Sequence, residues 1–259
     1  MLIALLALAP RQPRIVVLAP SFAEDLCAMG AGAQIAGVSD YTSDIPCVKG
    51  VPQVNNFAAV DAERILTLHP DVVLALPYQR KSVAPLERAG LHVEYVADDS
   101  YADIFRGITR LGELSGHRAQ AAQLNARLRA QTAALQRKAH YRFKPRVLFV
   151  EQAMPLWTIG PHSFIARLIS LAGGTISTSD LKQTYAQYST EAVLRSDPDA
   201  IVATDDARLP DVLAREPWRS LRAVRQHHVF ILSNSSIIVR PGPRYVQGLQ
   251  WLIARFSSL

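Results

Sequence analysis

The residue types that commonly do chemistry are present in this sequence, but their spacing points to binding rather than reaction. Seven histidines, His69, His92, His117, His140, His162, His227 and His228, fall into no HExxH or similar ligand spacing. The adjacent pair His227-His228 would face opposite sides of a strand. No GxSxG elbow activates a serine, and no Walker A loop cradles a phosphate. Gly30-Ala31-Gly32 ends a helix, where a dinucleotide fingerprint must begin one. Cys27 and Cys47 fit no CxxC or zinc-ribbon pattern, and a disulfide between them is open without being required. What remains is a set of rings, Tyr41, Tyr78, Trp157 and Tyr188, with the guanidinium of Arg240. A planar ring gives contact area at little rotamer cost, and a guanidinium hydrogen-bonds amides or carboxylates at a ligand's edge. That is the chemistry of a protein that holds a ligand, with no catalytic residues, no metal site and no cofactor of its own.

Such rings need elements that hold them, and the sequence supplies these twice. Arg14-Ile15-Val16-Val17-Leu18 reads like Arg146-Val147-Leu148-Phe149-Val150, each an apolar run with the length of a buried strand. Ser21 to Leu26, closing at Gly32, matches Ser163 to Leu168, closing at Gly174. Ser21 with Glu24 reads as a capping box and the glycines as helix stops. Glu63 to Ala75 matches Glu191 to Ala203: in each, a helix is stopped by Pro70 or Pro198 and runs at once into a buried strand. Finally, His92-Val93-Glu94-Tyr95-Val96 corresponds to His228-Val229-Phe230-Ile231-Leu232.

This alternation predicts an α/β protein of two Rossmann-like lobes, each a parallel sheet with helices on both faces. Doubly wound sheets bind ligands beyond the carboxyl ends of their strands, so the loops after Leu18, Val38, Leu76, Val150 and Leu232 should face a ligand cleft between the lobes. Those loops carry Pro20, Tyr41, Tyr78, Trp157 and the segment Ser236, Ile237, Ile238, Val239 and Arg240. Tyr185 and Tyr188, in the loop before Glu191, are placed to reach the same cleft.

Between the halves, Arg118 to His140 contains neither Gly nor Pro, and Ala121, Leu124, Leu128 and Leu135 keep helical spacing. The stretch predicts a single long helix of about 34 Å. It joins a lobe at 14–112 to a lobe at 146–259 through a connector at 113–145, holding the two nearly fixed. The net charge of +6 invites a nucleic-acid reading, but the basic residues between Arg118 and Arg146 fall on a helical, amphipathic stretch without groove-reading motifs. No nucleic-acid partner is expected. Leu2 to Ala9 is too short to span a bilayer. It reads as a secretory h-region lacking its charged start, or as a buried first strand.

The phrases Ile15-Val16-Val17-Leu18-Ala19-Pro20-Ser21, Gly37-Val38-Ser39-Asp40-Tyr41, His69-Pro70-Asp71-Val72-Val73, Leu171-Ala172-Gly173-Gly174, Asp197-Pro198-Asp199-Ala200-Ile201-Val202 and Arg240-Pro241-Gly242-Pro243-Arg244 occur in this order over nearly the whole chain. In that order they resemble the class III substrate-binding proteins of ABC importers, which carry cobalamin, haem and ferric siderophores. Ser39-Asp40-Tyr41 and Arg240 to Arg244 look most like the cobalamin branch. Ile237 and Ile238, and the Leu76-Pro77-Tyr78 stretch, depart from its aromatics. The resemblance implies a monomer in the periplasm, free or lipid-anchored. It implies a corrinoid such as vitamin B12 as ligand, with a ferric siderophore or haem as the alternative, and delivery to an ABC permease and ATPase complex. It also implies docking to the permease through an acid on each lobe. Asp206 or Asp211 fits in the second half; in the first, Gln79-Arg80-Lys81-Ser82 delays the nearest acid to Glu87.

Overall fold

The computed structural model describes residues 11–55, 59–139 and 143–259. The apolar run from Leu2 to Ala9 lies outside them, as does His140 at the end of the expected connector. By contact the chain divides into two compact units, one holding residues up to Ala97 with Gly107–Leu124, the other Asp98–Arg106 with Asn125–Leu259.

The first unit is built on β1 (Ile15–Val17), β2 (Ile35–Ser39), β3 (Gln53–Asn55), β4 (Val72–Ala75) and β5 (Val93–Tyr95), in the order β3-β2-β1-β4-β5. Every pairing is parallel. Its helices are α1 (Pro20–Ala28), α2 (Ala62–Thr67) and α3 (Arg80–Arg88). Two further helices, α4 (Tyr101–Ser115) and α5 (Arg118–Lys138), have residues in both units. Central β1 is wholly buried, as a parallel strand covered on both faces must be, which is why it reads as an unbroken Ile-Val-Val run. One core cluster gathers Val16, Leu18, Val54, Ile65, Val73 and Leu86.

The second unit contains β6 (Arg146–Gln152), β7 (Trp157–Ile159), β8 (Thr175–Ile176), β9 (Tyr185–Gln187), β10 (Ala200–Thr204) and β11 (Val229–Leu232). Its helices are α6 (Phe164–Leu171), α7 (Thr190–Ser196), α8 (Pro210–Leu213), α9 (Arg222–Arg225), α10 (Ser236–Val239) and α11 (Tyr245–Phe256). The sheet order is β11-β10-β6-β7-β9, with β8 also on β6. This sheet is mixed: β6 pairs with β7, and β7 with β9, antiparallel. The expectation of a fully parallel sheet is therefore corrected here. The link from Gln152 to Trp157 is too short for a crossover, so the chain can only fold back as a hairpin.

The repeat seen in the sequence has a physical counterpart, a clasp at the entry of each central strand. In the first unit the Arg14 amide donates to Asp71 Oδ2 at 2.7 Å, and the Asp71 amide donates back to the Arg14 carbonyl at 2.8 Å. In the second, Arg146 and Asp199 exchange the same two bonds at 2.7 and 2.8 Å. The residues before the two prolines, His69 and Asp197, take positive φ of 46° and 35°, which turns the chain from helix into strand.

Two sequence expectations are corrected locally. Pro20 takes the first helical position of α1, so Ala19 is the cap, and Ser21 and Glu24 lie buried within the helix rather than forming a capping box. In α6 the cap does form, with Ser163 Oγ accepting the Ala166 amide at 3.0 Å. The left-handed glycines that end α1 and α6 are Gly30 and Gly173, not Gly32 and Gly174. The long helix expected between the halves is α5, 21 residues from Arg118 to Lys138. The division by contact cuts both α4 and α5, and Gly112, where an added Cβ would collide with Ala121, lets the two helices turn tightly on each other.

Candidate functional site

In the first unit β2, β1 and β4 are neighbours and point the same way, so the residues just past their ends gather at one edge of the sheet. Those residues are Tyr41, Pro20 and Tyr78. Both tyrosines are largely exposed, while Pro20 is half-buried at the start of α1. Tyr41 sits at φ 59° in the turn after β2 and lines a 580 Å³ groove with Asp40, Thr42, Ile45 and Lys49. Gln79, which the sequence reading left without a role here, fastens this edge. Its Oε1 accepts the Leu76 amide at 2.8 Å and its Nε2 donates to the Leu18 carbonyl at 3.1 Å, so one side chain ties the ends of β4 and β1 beside Tyr78. The signal for it is the amide side chain three residues after Leu76 in a proline-led turn.

In the second unit Trp157 opens β7 opposite Gln152 and Gln187, and Ile159 faces Tyr185. Directly paired residues share a face and neighbours along a strand alternate, so Trp157, Tyr185 and Gln187 share one face while Tyr188 takes the other. Tyr188 indeed packs on the core around Leu148 and Val150. Tyr185, rather than Tyr188, therefore shares the face of Trp157. Tyr188 donates its hydroxyl to Asp180 at 3.0 Å; burial first, and this carboxylate second, push its pKa up to about 12. Trp157 and Tyr185 remain 37% and 43% exposed.

The segment expected to line the site divides. Ser236, Ile237 and Ile238 are buried, and α10 packs on α6 and α11, where Gly248 lets the Ile237 carbonyl approach so closely that an added Cβ would collide with it. Their apolar run serves this packing. Val239 and Arg240 stay half-buried at the end of α10.

Among the expected docking acids, Asp206 lies in the turn after β10, and Asp211 in the first turn of α8, ion-paired with Arg208 at 2.8 Å on the surface. Glu87 of α3 accepts the Tyr95 hydroxyl at 2.9 Å, while Arg80 lies over the Tyr95 ring at 3.9 Å. Arg80 is thus engaged within its own unit. A residue passed over in the sequence, Glu151, lies on β6 near Asp206; burial, then Asp206, raise its pKa. Burial, followed by Glu151, Asp98 and Asp99, keeps Tyr185 a neutral phenol. Among the described residues no group of three or more His, Cys, Asp or Glu could hold a metal ion. No described helix is long and apolar enough to cross a membrane.

Each unit thus carries exposed rings, Tyr41 and Tyr78 on the first and Trp157 and Tyr185 on the second. The family described as periplasmic binding protein matches residues 15–235. The chain belongs to that family. Its members are binding components of transport, and this binding protein is the substrate-binding component of an ABC transporter. It is 28% identical to an uncharacterised ABC transporter substrate-binding lipoprotein, YvrC, of Bacillus subtilis, over 92% of this chain and 78% of the relative. It is 30% identical to a vitamin B12-binding protein of Yersinia pestis, over 100% and 92% of the two chains. Among solved structures, the periplasmic vitamin B12-binding protein BtuF of Vibrio cholerae superposes with a TM-score of 0.81 at 25% identity, covering 95% and 96%. The periplasmic heme-binding protein RhuT of Roseiflexus, with a TM-score of 0.83 at 24% identity and coverage of 96% and 99%, shares the fold.

Proposed function

We propose that this binding protein captures a corrinoid, vitamin B12 or a close relative, outside the cytoplasm and delivers it to the permease and ATPase of its importer. The observation that carries the reading is the match of the whole chain to a vitamin B12-binding protein at 30% identity. The exposed rings Tyr41, Tyr78 and Trp157 support it, since a broad macrocycle is held by flat surfaces. Haem or a ferric siderophore is the second reading, favoured by the equally close fold of a heme-binding protein. Calorimetry with cyanocobalamin is expected to show one-to-one binding. Tyr41→Ala should weaken it by about 0.5 to 1.5 kcal/mol beyond the lost contact area. Absence of heat with cobalamin, together with clear binding of haem or a ferric siderophore, transfers the assignment.

Docking to the permease falls to Asp206 and Asp211 on the second unit and Glu87 on the first. The surface pair of Asp211 with Arg208 holds little energy and leaves the acid available to a partner. Asp211→Lys is expected to impair uptake by the reconstituted importer with cobalamin affinity unchanged. Full uptake by that variant removes Asp211 from the interface.

A further inference from the structure

In the first unit the segment at 40–52 leaves β2 and returns to β3. Its base is fastened there, with the Val38 amide donating to the Pro52 carbonyl at 2.9 Å and the Asp40 amide to the Asn55 carbonyl at 3.0 Å. Above the base, backbone bonds run within the segment itself: Ile45 donates to Thr42, Val48 to Ile45, Lys49 to Pro46 and Val51 to Val48. Tyr41 holds a φ of 59° in this segment, a left-handed conformation that a tyrosine keeps where its surroundings fix it. At the far side the fastening is covalent. Cys47 is bonded to Cys27 near the end of α1, and Pro46 and Val48, the neighbours of Cys47, line the same 580 Å³ groove as Tyr41. The bond therefore ties the segment that carries Tyr41 to the helix that begins at Pro20.

We infer that the disulfide of Cys27 and Cys47 is a positioning element of the ligand site: it holds Tyr41 ready for the ligand, so that affinity falls when the bond is opened. The inference rests on the binding function proposed above, with Tyr41 as a contact, and adds the device that prepares that contact. A loop fixed beforehand in its binding conformation spares the ordering cost that a mobile loop incurs on binding. With the bond open, Tyr41 samples the extended conformations that a tyrosine favours, and the ligand must select the left-handed one from among them. Cys47 is exposed and Cys27 half-buried, so a thiol in solution can reach the bond. A dithiol supplies the two electrons and two protons that convert the disulfide into two cysteine thiols, and leaves as its own cyclic disulfide.

The test compares wild type with the double variant Cys27→Ser, Cys47→Ser, each with Tyr41 and with Tyr41→Ala, by calorimetry with cyanocobalamin and with haem. For the ligand that binds, loss of the disulfide should weaken affinity about tenfold when Tyr41 is present and by less than about twofold in Tyr41→Ala, because an absent contact has nothing to position. Wild type reduced with dithiothreitol, alkylated with iodoacetamide and freed of both reagents should match the serine variant. Unchanged affinity on loss of the bond, or an equal loss with and without Tyr41, overturns the inference. Hydrogen exchange gives a readout without ligand: the Ile45, Val48, Lys49 and Val51 amides should exchange at least about tenfold faster in the serine variant, while those of β1 stay protected in both proteins. Equal exchange at these four amides overturns the inference as well. Binding of haem alone overturns the corrinoid reading and leaves the comparison in force. Binding of neither ligand overturns the function proposed above, and the exchange rates then decide by themselves whether the bond holds the segment.

Discussion

Replacement of both Cys27 and Cys47 by serine is expected to lower the unfolding free energy by about 3 kcal/mol, the loop entropy regained by a span of this size. The structure settles the pairing that the sequence leaves open: the two cysteines are bonded, 20 residues apart, with Cα atoms separated by 6.1 Å. The bond joins α1 to the loop between β2 and β3, beside an edge strand of three residues. Gly32 lies against it, where an added Cβ would come within 2.8 Å of Cys47 Sγ. Urea unfolding of wild type and the double variant, with and without reductant, measures the difference. Reductant should bring the wild type to the midpoint of the variant, and a double variant as stable as the oxidised protein would show that the segment is held by packing alone. The bond also fits a protein that works in an oxidising compartment.

The second large effect separates two residues that look equivalent in sequence. Asp71 and Asp199 occupy the same place in the two clasps, yet their side chains are 45% and 15% exposed. Asp199 accepts the Arg146 amide, and its Oδ1 meets the Arg222 guanidinium at 2.7 Å. Asp71 accepts the Arg14 amide and makes only a long, exposed pair with Arg11 at 3.5 Å. Asp199→Ala leaves the Arg146 amide without its acceptor and the Arg222 guanidinium with Asp197 alone, at 3.6 Å, and should cost about 2 kcal/mol, whereas Asp71→Ala should cost about 1 kcal/mol. Asp199→Asn, which retains one acceptor oxygen, should fall between alanine and wild type. Chemical denaturation of the three variants decides it, and equal losses at the two positions would mean that burial does not set the strength of the clasp.

The two-fold repeat was legible because its parts are local: apolar runs the length of a strand, and helices halted by Pro70 and Pro198. The strand order around β1 and β6 follows from those parts. What escaped depended on hydrogen bonds between segments distant in sequence. The antiparallel β7 and β9 are three residues each, too short for alternation to show, and their register is what separates Tyr185 from Tyr188. Gln79 acts on Leu18, which is 61 positions away. Ile237 and Ile238 carry no mark in the sequence of the close approach to α11 that Gly248 allows. Glu151 looks like any solvent-facing acid until β10 brings Asp206 next to it.

The paired clasps also provide built-in reporters. Each holds the amide at the entry of a central strand with a carboxylate oxygen at 2.7 Å, and that amide can exchange its proton for deuterium only when the strand entry parts from the loop that follows α2 or α7. Arg14 therefore reports opening of the first unit and Arg146 opening of the second, within one molecule and one experiment. Because both amides belong to an arginine that follows a proline, their intrinsic exchange rates are nearly matched, and a difference between the observed rates reads as a difference in how often each sheet lets go.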